Sequence, residues 1–389
     1  MVEYKFATQE QEELAELGRE ILESELKPRL HELEEANGGK GCYPLDVHKK
    51  MAEAGFTSMS IPESWGGLDF DAVTKCLVLE EMGKVDAGFT FNMYGGTVYF
   101  DHIAMSGIPE EDKQKWADSM CAGDTIIAFC LTEPQAGSDA SAIKTTAVKD
   151  GNEWVINGTK CFITNGPTAN LFIVYAWTDK TKSPGKGISA FLVEKERGVQ
   201  VGSIENKMGI KLSCTSEIIL DNVRVPEDHL IGELGRGLKY ALSGIGTARV
   251  VTLAIDLGVA QAALDYAGKY AQERVTMGKK IMDHDRVADL LSHMQTEVAA
   301  ARALLYYSAS CIDKGLEEGW LSSATKNFIA ETAMDVTIKA VQVFGGYGYM
   351  KDYPVEKLMR DAKIFEIFEG STQINDLVIA RALDAKYRP

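Results

Sequence analysis

With 389 residues, 45% of them hydrophobic, the chain is long and apolar enough to bury a large core divided over two or three domains. The formal net charge of −16 excludes sequence-independent binding to nucleic acid or anionic lipid, which needs basic patches to meet a negative surface. Any anionic ligand must be met by a few local cations and by backbone N–H groups.

The N-terminal stretch "MVEYKFATQEQEELAELGREI" is acidic and passes directly into a helical pattern, unlike a signal or transit peptide, so a cytoplasmic protein is expected. From Thr8 to about Asp124 the pattern stays helical: Thr8 with Gln11 makes a capping box, and Leu14, Leu17 and Ile21 follow at helix spacing. From Thr125 to about Gly235 the rhythm changes to period two, in short runs such as "IIAFCL", "EWVI", "LFIVYAW" and "SEIILDNVRV" punctuated by Asp150-Gly151 and Asn157-Gly158. This region reads as a β-sandwich or barrel. After Gly235 helical spacing returns, with long helices expected near 237–273, 285–313 and 321–343. The fold class is therefore α+β multi-domain, with a helical domain over 1–124, a β domain over 125–235 and a C-terminal helical bundle over 236–389. The longest uncharged stretch, Cys161 to Thr178, contains Asn165, Gly166, Pro167 and Asn170 and reads as a loop plus a strand instead of a membrane span.

The 7 cysteines form no C-x-x-C pair and the 6 histidines show no ligand spacing, so neither a zinc site nor a disulfide framework is expected. The thiols read as reduced and mostly buried. In "LTEPQAGSD" (131–139), Pro134 and Gly137 make a turn while Thr132 and Ser138 supply the polar lining that suits a flat heteroaromatic ring or a phosphate, although a plain strand-to-loop turn fits the composition equally. "INGTKCFITNG" (156–166) reads as a hairpin with Phe162 and Thr164 on one face. "QVFGGYGY" (342–349) closes a helix with glycines but lacks the strand and spacing of a dinucleotide fingerprint, and "SGIGTARV" (243–250) specifies nothing beyond helix packing. "IFEIFEGSTQI" (364–374) sets two acids, Glu366 and Glu369, in an apolar run ending at a glycine. A carboxylate taken out of water is costly or titrates upward, so at least one of the two should have a partner or a chemical task.

Together and in this order, "LTEPQAGSD", "INGTKCFITNG", "KMGIKLSCTSE", "ERVTMGKKI", "QVFGGYGYMKDYPVEKLMRDAKI" and "FEGSTQI" resemble the acyl-CoA dehydrogenase flavoprotein family over essentially the full chain. The resemblance implies FAD between the β domain and the C-terminal four-helix bundle. It implies that Phe129, Leu131, Thr132 and Ser138 line the flavin and the acyl-CoA, and that Phe162 and Thr164 pack on the isoalloxazine. Arg274, Gln342, Gly345 and Gly346 would hold the ADP half of FAD, Arg274 by reaching into a neighbouring subunit of a tetramer, and Ser371, Thr372 and Gln373 would form the cofactor-binding tail. Arg249, Ser138 and Gly370 would meet the substrate.

Glu369 matches the catalytic base. It would take the α-proton of the thioester while a hydride leaves the β-carbon, with hydrogen bonds to the thioester carbonyl from its own backbone N–H and from the flavin ribityl chain. Some members carry the base just before the arginine matching Arg249, and here that residue is Ala248, which cannot serve. Glu366 would make a structural ion pair with Arg360 or Lys363. Against the family pattern, Gln135 replaces a glycine, Met277 replaces a phenylalanine and would fill the same apolar space, and the aromatic run "AGFTFNMYGGTVYF" (87–100) reads mostly as helix core, with an aromatic-lined acyl pocket as the second reading. The expected partner is an electron-transferring flavoprotein. Enoyl-CoA reduction, an oxidase, a dicarboxylyl-CoA dehydrogenase or decarboxylase, and a flavin-free interaction protein are the alternatives.

Overall fold

The computed structural model describes residues 7–243, 245–316 and 318–388. Thr8 Oγ1 accepts the Gln11 N–H at 3.2 Å and Gln11 Oε1 accepts the Thr8 N–H at 2.9 Å, so the capping box forms as read from the sequence. It opens α1 (Gln9–Glu25), which is followed by α2 (Leu30–Gly39), α3 (Leu45–Glu53), α4 (Ala72–Gly83), α5 (Ala87–Gly95), α6 (Phe100–Met105) and α7 (Glu110–Cys121). Asp71 and Asp86 cap α4 and α5 by accepting the Thr74 and Phe89 N–H groups at 2.7 and 2.6 Å. Helix α5 is buried from Ala87 to Tyr94, so it carries its aromatic residues through the interior.

The β region comprises β1 (Ile127–Cys130), β2 (Thr146–Asp150), β3 (Glu153–Thr164), β4 (Leu171–Trp177), β5 (Ile188–Glu194), β6 (Gln200–Ile204), β7 (Thr215–Pro226) and β8 (Leu230–Ile231), with a single-turn α8 (Pro184–Gly187) before β5. The ladder runs β6-β7-β3-β2-β4-β5-β8, with β1 parallel to β4. Only the pair Thr146 and Trp177 links β2 to β4, so the ladder bends there into two halves. Their inner faces pack as a sandwich: Trp154, Ile156 and Ile218 from one half meet Phe172, Val174 and Phe191 from the other.

Two expectations fail in this region. Asn157-Gly158 is no turn and "INGTKCFITNG" no hairpin, because β3 runs unbroken from Glu153 to Thr164 with register shifts at Ile156/Gly158 and Lys160/Ile163. Gly158 is there for close approach, since a Cβ would stand 2.2 Å from Thr145 Oγ1. The β2–β3 turn is at Gly151, with φ +63°. Strand β6 gave no sequence signal, because it is a half-exposed strand without alternation.

Helices α9 (Gly237–Ser243), α10 (Ile245–Glu273), α11 (Asp285–Asp313), α12 (Gly319–Phe344), α13 (Val355–Ala362) and α14 (Thr372–Tyr387) complete the chain, with a small hairpin of β9 (Val275–Thr276) and β10 (Lys279–Lys280). Gly244, in the "SGIGTARV" stretch, lies outside the described residues. Helix α10 is apolar on most sides because α4, α11, α12 and α13 surround it, and one core runs through both helical regions, from Leu22, Met51 and Leu79 to Ile255, Leu305 and Ala333.

The three regions are tied at Lys357 on α13. Its Nζ donates to Asp86 Oδ2 at 2.7 Å and to Asp361 Oδ2 at 2.5 Å, with Glu34 of α2 at 3.7 Å. Asp361 Oδ1 in turn accepts the Ile210 N–H at 2.5 Å, and Arg360 Nη1 donates to Met208 O at 3.0 Å, which brings in the β region. Burial raises the Glu34 carboxyl pKa and Lys357 opposes it. Lys357→Met would leave Asp86 and Asp361 buried without their cation. The expected loss is about 3–5 kcal/mol, read as a lower denaturation midpoint; an unchanged midpoint would refute the tie.

Candidate active site

After α13 the chain makes a 3-10 turn over Lys363–Glu366, and Glu366 forms its ion pair with Lys363. Arg360, the other expected partner, is taken by Glu356 at 2.7 Å. Phe368 stacks on Phe91 of α5 with ring centres 4.6 Å apart. Glu369 (φ +54°) and Gly370 (φ +89°) then occupy the left-handed region in succession. For a glutamate this costs on the order of 1 kcal/mol or more, so the surroundings must impose it. They do: Arg249 Nε donates to Glu369 O at 2.8 Å, Asn375 Nδ2 donates to Gly370 O at 2.8 Å, and Asn327 Nδ2 donates to Thr372 O at 3.1 Å. Arg249 Nη1 also reaches Ser323 Oγ on α12 at 3.3 Å. A Cβ on residue 370 would sit 3.3 Å from both Arg249 Nη2 and Asn375 Nδ2, so glycine is needed for space as well as for φ.

Burial pushes the Glu369 pKa above the usual carboxylate range, while Arg249 and then Lys326 pull it down. Its charge is felt at the hydroxyls of Tyr94 and Tyr99, whose own pKa values burial chiefly raises. The aromatic run therefore divides. Phe89 and Phe100 are core, stacked on Tyr43 (5.2 Å) and edge-on to Trp65 (5.5 Å), whereas Phe91, Tyr94 and Tyr99 face the Glu369 segment.

Strand β1 carries Phe129, which lies 4.9 Å from both Tyr99 and Tyr175, and hands on to half-buried Leu131 and Thr132 and exposed Ser138. The turn is at Pro134-Gln135, closed by backbone bonds between Glu133 and Ala136 at 2.9 and 3.1 Å. Beneath it lies a buried ion pair that sequence reasoning missed. Glu133 Oε1 accepts from Lys160 Nζ at 2.8 Å and from Thr145 Oγ1 at 2.5 Å, and Oε2 accepts from the Lys144 N–H at 2.6 Å and from Gln135 Nε2 at 2.7 Å. Lys160 also donates to Leu131 O (3.1 Å) and Tyr175 O (2.8 Å), so it fixes the end of β1 against β3. Although burial works to raise it, Lys160 and the other donors hold the Glu133 pKa at about 2. Two residues on, Phe162 stands at the β3 bulge with φ +55° and is 65% exposed, while Thr164 is half-buried. A bulge that turns an aromatic ring outward re-aims a side chain toward a ligand.

The remaining predicted residues lie in two other clefts. Arg274, Gly345 and Gly346 line one of about 510 Å³ with Tyr270, Phe344 and Tyr347, and Gln342 stands one turn before it on α12. Ser371, Thr372 and Gln373 line one of about 210 Å³ with Glu331, Lys363 and Glu366. Met277 fills no apolar space within the chain; it stands 91% exposed at φ +49° on the tip of the β9–β10 hairpin, beside Arg274.

Family models match almost the whole length: the acyl-CoA dehydrogenase N-terminal domain over residues 8–124, the middle domain over 128–223 and the C-terminal domain over 235–383. The chain belongs to the acyl-CoA dehydrogenase family. It is 38% identical over 380 residues to the short-chain specific acyl-CoA dehydrogenase of Clostridium acetobutylicum, covering 96% of this chain and 97% of that one. It is 40% identical over 382 residues to the acryloyl-CoA reductase (NADH) of Anaerotignum propionicum, covering 96% and 94%. Among solved structures, butyryl-CoA dehydrogenase from Megasphaera elsdenii superposes with a TM-score of 0.91 at 35% identity, covering 97% of this chain and 98% of that one. The protein is thus an oxidoreductase acting on CH–CH bonds.

In this dehydrogenase, Gly370 combines a φ of +89° with a 3.3 Å approach to Arg249. Gly370→Ala should leave the fold intact but push Arg249 off the Glu369 carbonyl, cutting turnover of an acyl-CoA about 10- to 100-fold. Turnover within a factor of two of the unmodified enzyme would contradict the clamp.

Proposed function

We propose that the protein is an FAD-dependent short-chain acyl-CoA dehydrogenase in which Glu369 removes the α-proton of the thioester, and that its electrons pass to an electron-transferring flavoprotein. The observation that carries this reading is Glu369 itself. It is a part-buried carboxylate of raised pKa on a strained, arginine-clamped turn. A thioester α-C–H is far less acidic than any side-chain base. A base of raised pKa narrows that gap, and it must still be ionised to act, so activity should fall as pH drops through the Glu369 pKa.

The residues present fit FAD. The outward ring of Phe162 offers an apolar platform beside the hydroxyl of Thr164 and the polar end of β1, and the glycine-lined cleft beside Arg274 admits a second portion of such a ligand. Phe129, Leu131, Thr132, Ser138, Phe162 and Thr164 would hold the isoalloxazine end, Ser371, Thr372 and Gln373 the tail, and Arg274, Gln342, Gly345 and Gly346 the ADP half. When bound, FAD supplies the acceptor for the β-hydride. Arg249 and Gly370 then fix where the Glu369 carboxylate can reach, and Ser138 with Arg249 meets the substrate.

The Arg274 and Ser371 groups line different clefts of one chain, which supports a homo-oligomer, a tetramer on family grounds, in which Arg274 serves the cofactor of a neighbour. The exposed Met277 beside it would be covered by the same contact, and a single-chain mass in solution would contradict this arrangement. On this reading three domains, 1–124, 125–235 and 236–389, meet around the cofactor. The cysteines are all free thiols, which supports a reducing compartment such as the cytoplasm.

The relative named short-chain specific, together with the bulky side chains of Phe91, Tyr94 and Tyr99 facing Glu369, supports a short acyl group. The 40% identical acryloyl-CoA reductase favours one second reading, enoyl-CoA reduction by the same residues. Anaerobic titration of the purified yellow protein with linear, branched, cyclic and dicarboxylic acyl-CoAs separates the two. Bleaching of the flavin by butyryl-CoA is expected, with Glu366→Gln bleached alike and Glu369→Gln retaining its flavin but unbleached. No bleaching by any saturated thioester would favour the reductive direction, and a Glu369→Gln protein bleached at the unmodified rate would overturn the base.

A further inference from the structure

Lys326 is a cation that the fold buries without a hydrogen bond among the described residues. It lies mid-way along α12, 1% exposed, and its Nζ reaches no acceptor among the described residues. Asp256, on α10 and 0% exposed, has both carboxylate oxygens in the same condition. Neither belongs to the chemistry above, and a buried charge without a partner is strongly unfavourable unless it acts on something.

Their positions show what they act on. Lys326 follows Ser323 by three residues, so both lie on one face of α12, and Ser323 Oγ accepts the Arg249 Nη1 whose guanidinium holds the Glu369 carbonyl. Asp256 is two helical turns beyond Arg249 on the facing side of α10. The next residue on α12, Asn327, donates to Thr372 O at 3.1 Å and Asp376 Oδ1 at 2.8 Å, which fixes this stretch of α12 against the segment that follows Glu369. The titratable groups around Lys326 are Arg249 and Asp256 from α10, Glu366 from the 3-10 turn and Glu331 from its own helix. Those around Glu369 are Arg249 and Lys326, and its charge is also felt at the Tyr94 and Tyr99 hydroxyls.

We propose that Lys326 is a positioning residue for the dehydrogenation: its buried ammonium, held by no hydrogen bond among the described residues, keeps Glu369 ionised and ready to act as a base, while Asp256 stays neutral. The inference rests on Glu369 as the base. Burial, with Arg249 nearby, lowers the Lys326 pKa to about 8, so the ammonium persists at neutral pH. Burial, first, and Glu366 raise the Asp256 pKa well above the carboxylate range, which favours its neutral form, while Lys326 pulls the other way. The sign follows: removing the Lys326 charge must raise the Glu369 pKa and move the acid limb of kcat/KM to higher pH.

An infrared difference titration between each protein and its Glu369→Gln counterpart isolates the protonated-carboxyl band of residue 369 in the purified holoenzyme without substrate. Lys326→Met replaces an unpartnered ammonium by a side chain of similar length, so it should fold, and it should raise the Glu369 midpoint by about one pH unit or more, a tenfold or greater gain in proton affinity. Lys326→Arg should bring the midpoint back toward that of the unmodified enzyme, and Asp256→Asn should leave it in place. An unmoved midpoint in a folded Lys326→Met protein would overturn the proposal. So would a midpoint lowered by Asp256→Asn, which would mean that Asp256 is charged and already cancels Lys326. A Glu369→Gln enzyme with full activity would instead remove the base assignment, and the midpoints, read without turnover, keep the two failures apart.

Discussion

Lys357 is the point on which the arrangement depends, because one ammonium satisfies acids from two helical regions and, through Asp361, a backbone amide of the β region. A buried cation with two close carboxylates is rigid in a way that apolar packing is not, since displacing any partner leaves a charge without compensation. It also lies on α13, immediately before the segment that delivers Glu369. The distance from α5, with its aromatic residues, to the acid is therefore set by the same contact that joins the regions.

Two of the residues with strained backbone stand in the proposed site. Phe162 and Glu369 both hold φ angles above +50°, and each is imposed by a buried polar anchor close by: Lys160 with Glu133 for the first, Arg249 for the second. The two anchors are of different kinds. Glu133 and Lys160 bond each other and are completed by Thr145, Lys144, Gln135 and the carbonyls of Leu131 and Tyr175, which fixes a surface, whereas Arg249 holds residue 369 by its main-chain carbonyl and leaves its carboxylate to respond to charge. This division lets the fold be stiff around Glu369 while its proton affinity stays adjustable.

Much of this was legible in the sequence because it depended on neighbours in the chain. The capping box at Thr8, the long helices after Gly235 and the acid before Gly370 are all local signals, and the acyl-CoA dehydrogenase motifs are contiguous. What failed depended on contacts remote in sequence. Asn157-Gly158 has the composition of a turn, yet the glycine serves the approach of Thr145. Met277 reads as a core filler but points away from its own chain. The Glu133–Lys160 pair spans strands whose composition advertises neither partner, and Lys326 in "SSATKNF" looks like any solvated helix lysine until packing buries it. Asp256 in "LAIDLG" did carry the same signal as Glu369, an acid in an apolar run.

The central claim is that the Glu369 carboxylate moves the proton at the α-carbon. The most direct test is to incubate the enzyme anaerobically with butyryl-CoA in D₂O and follow deuterium entering the α-position by NMR, in parallel with the Glu369→Gln protein carrying the same flavin. The account predicts exchange catalysed by the unmodified enzyme and reduced to the uncatalysed background by the substitution. Equal exchange in both proteins would mean that another group takes the proton and that Glu369 is held on its strained turn for a different purpose.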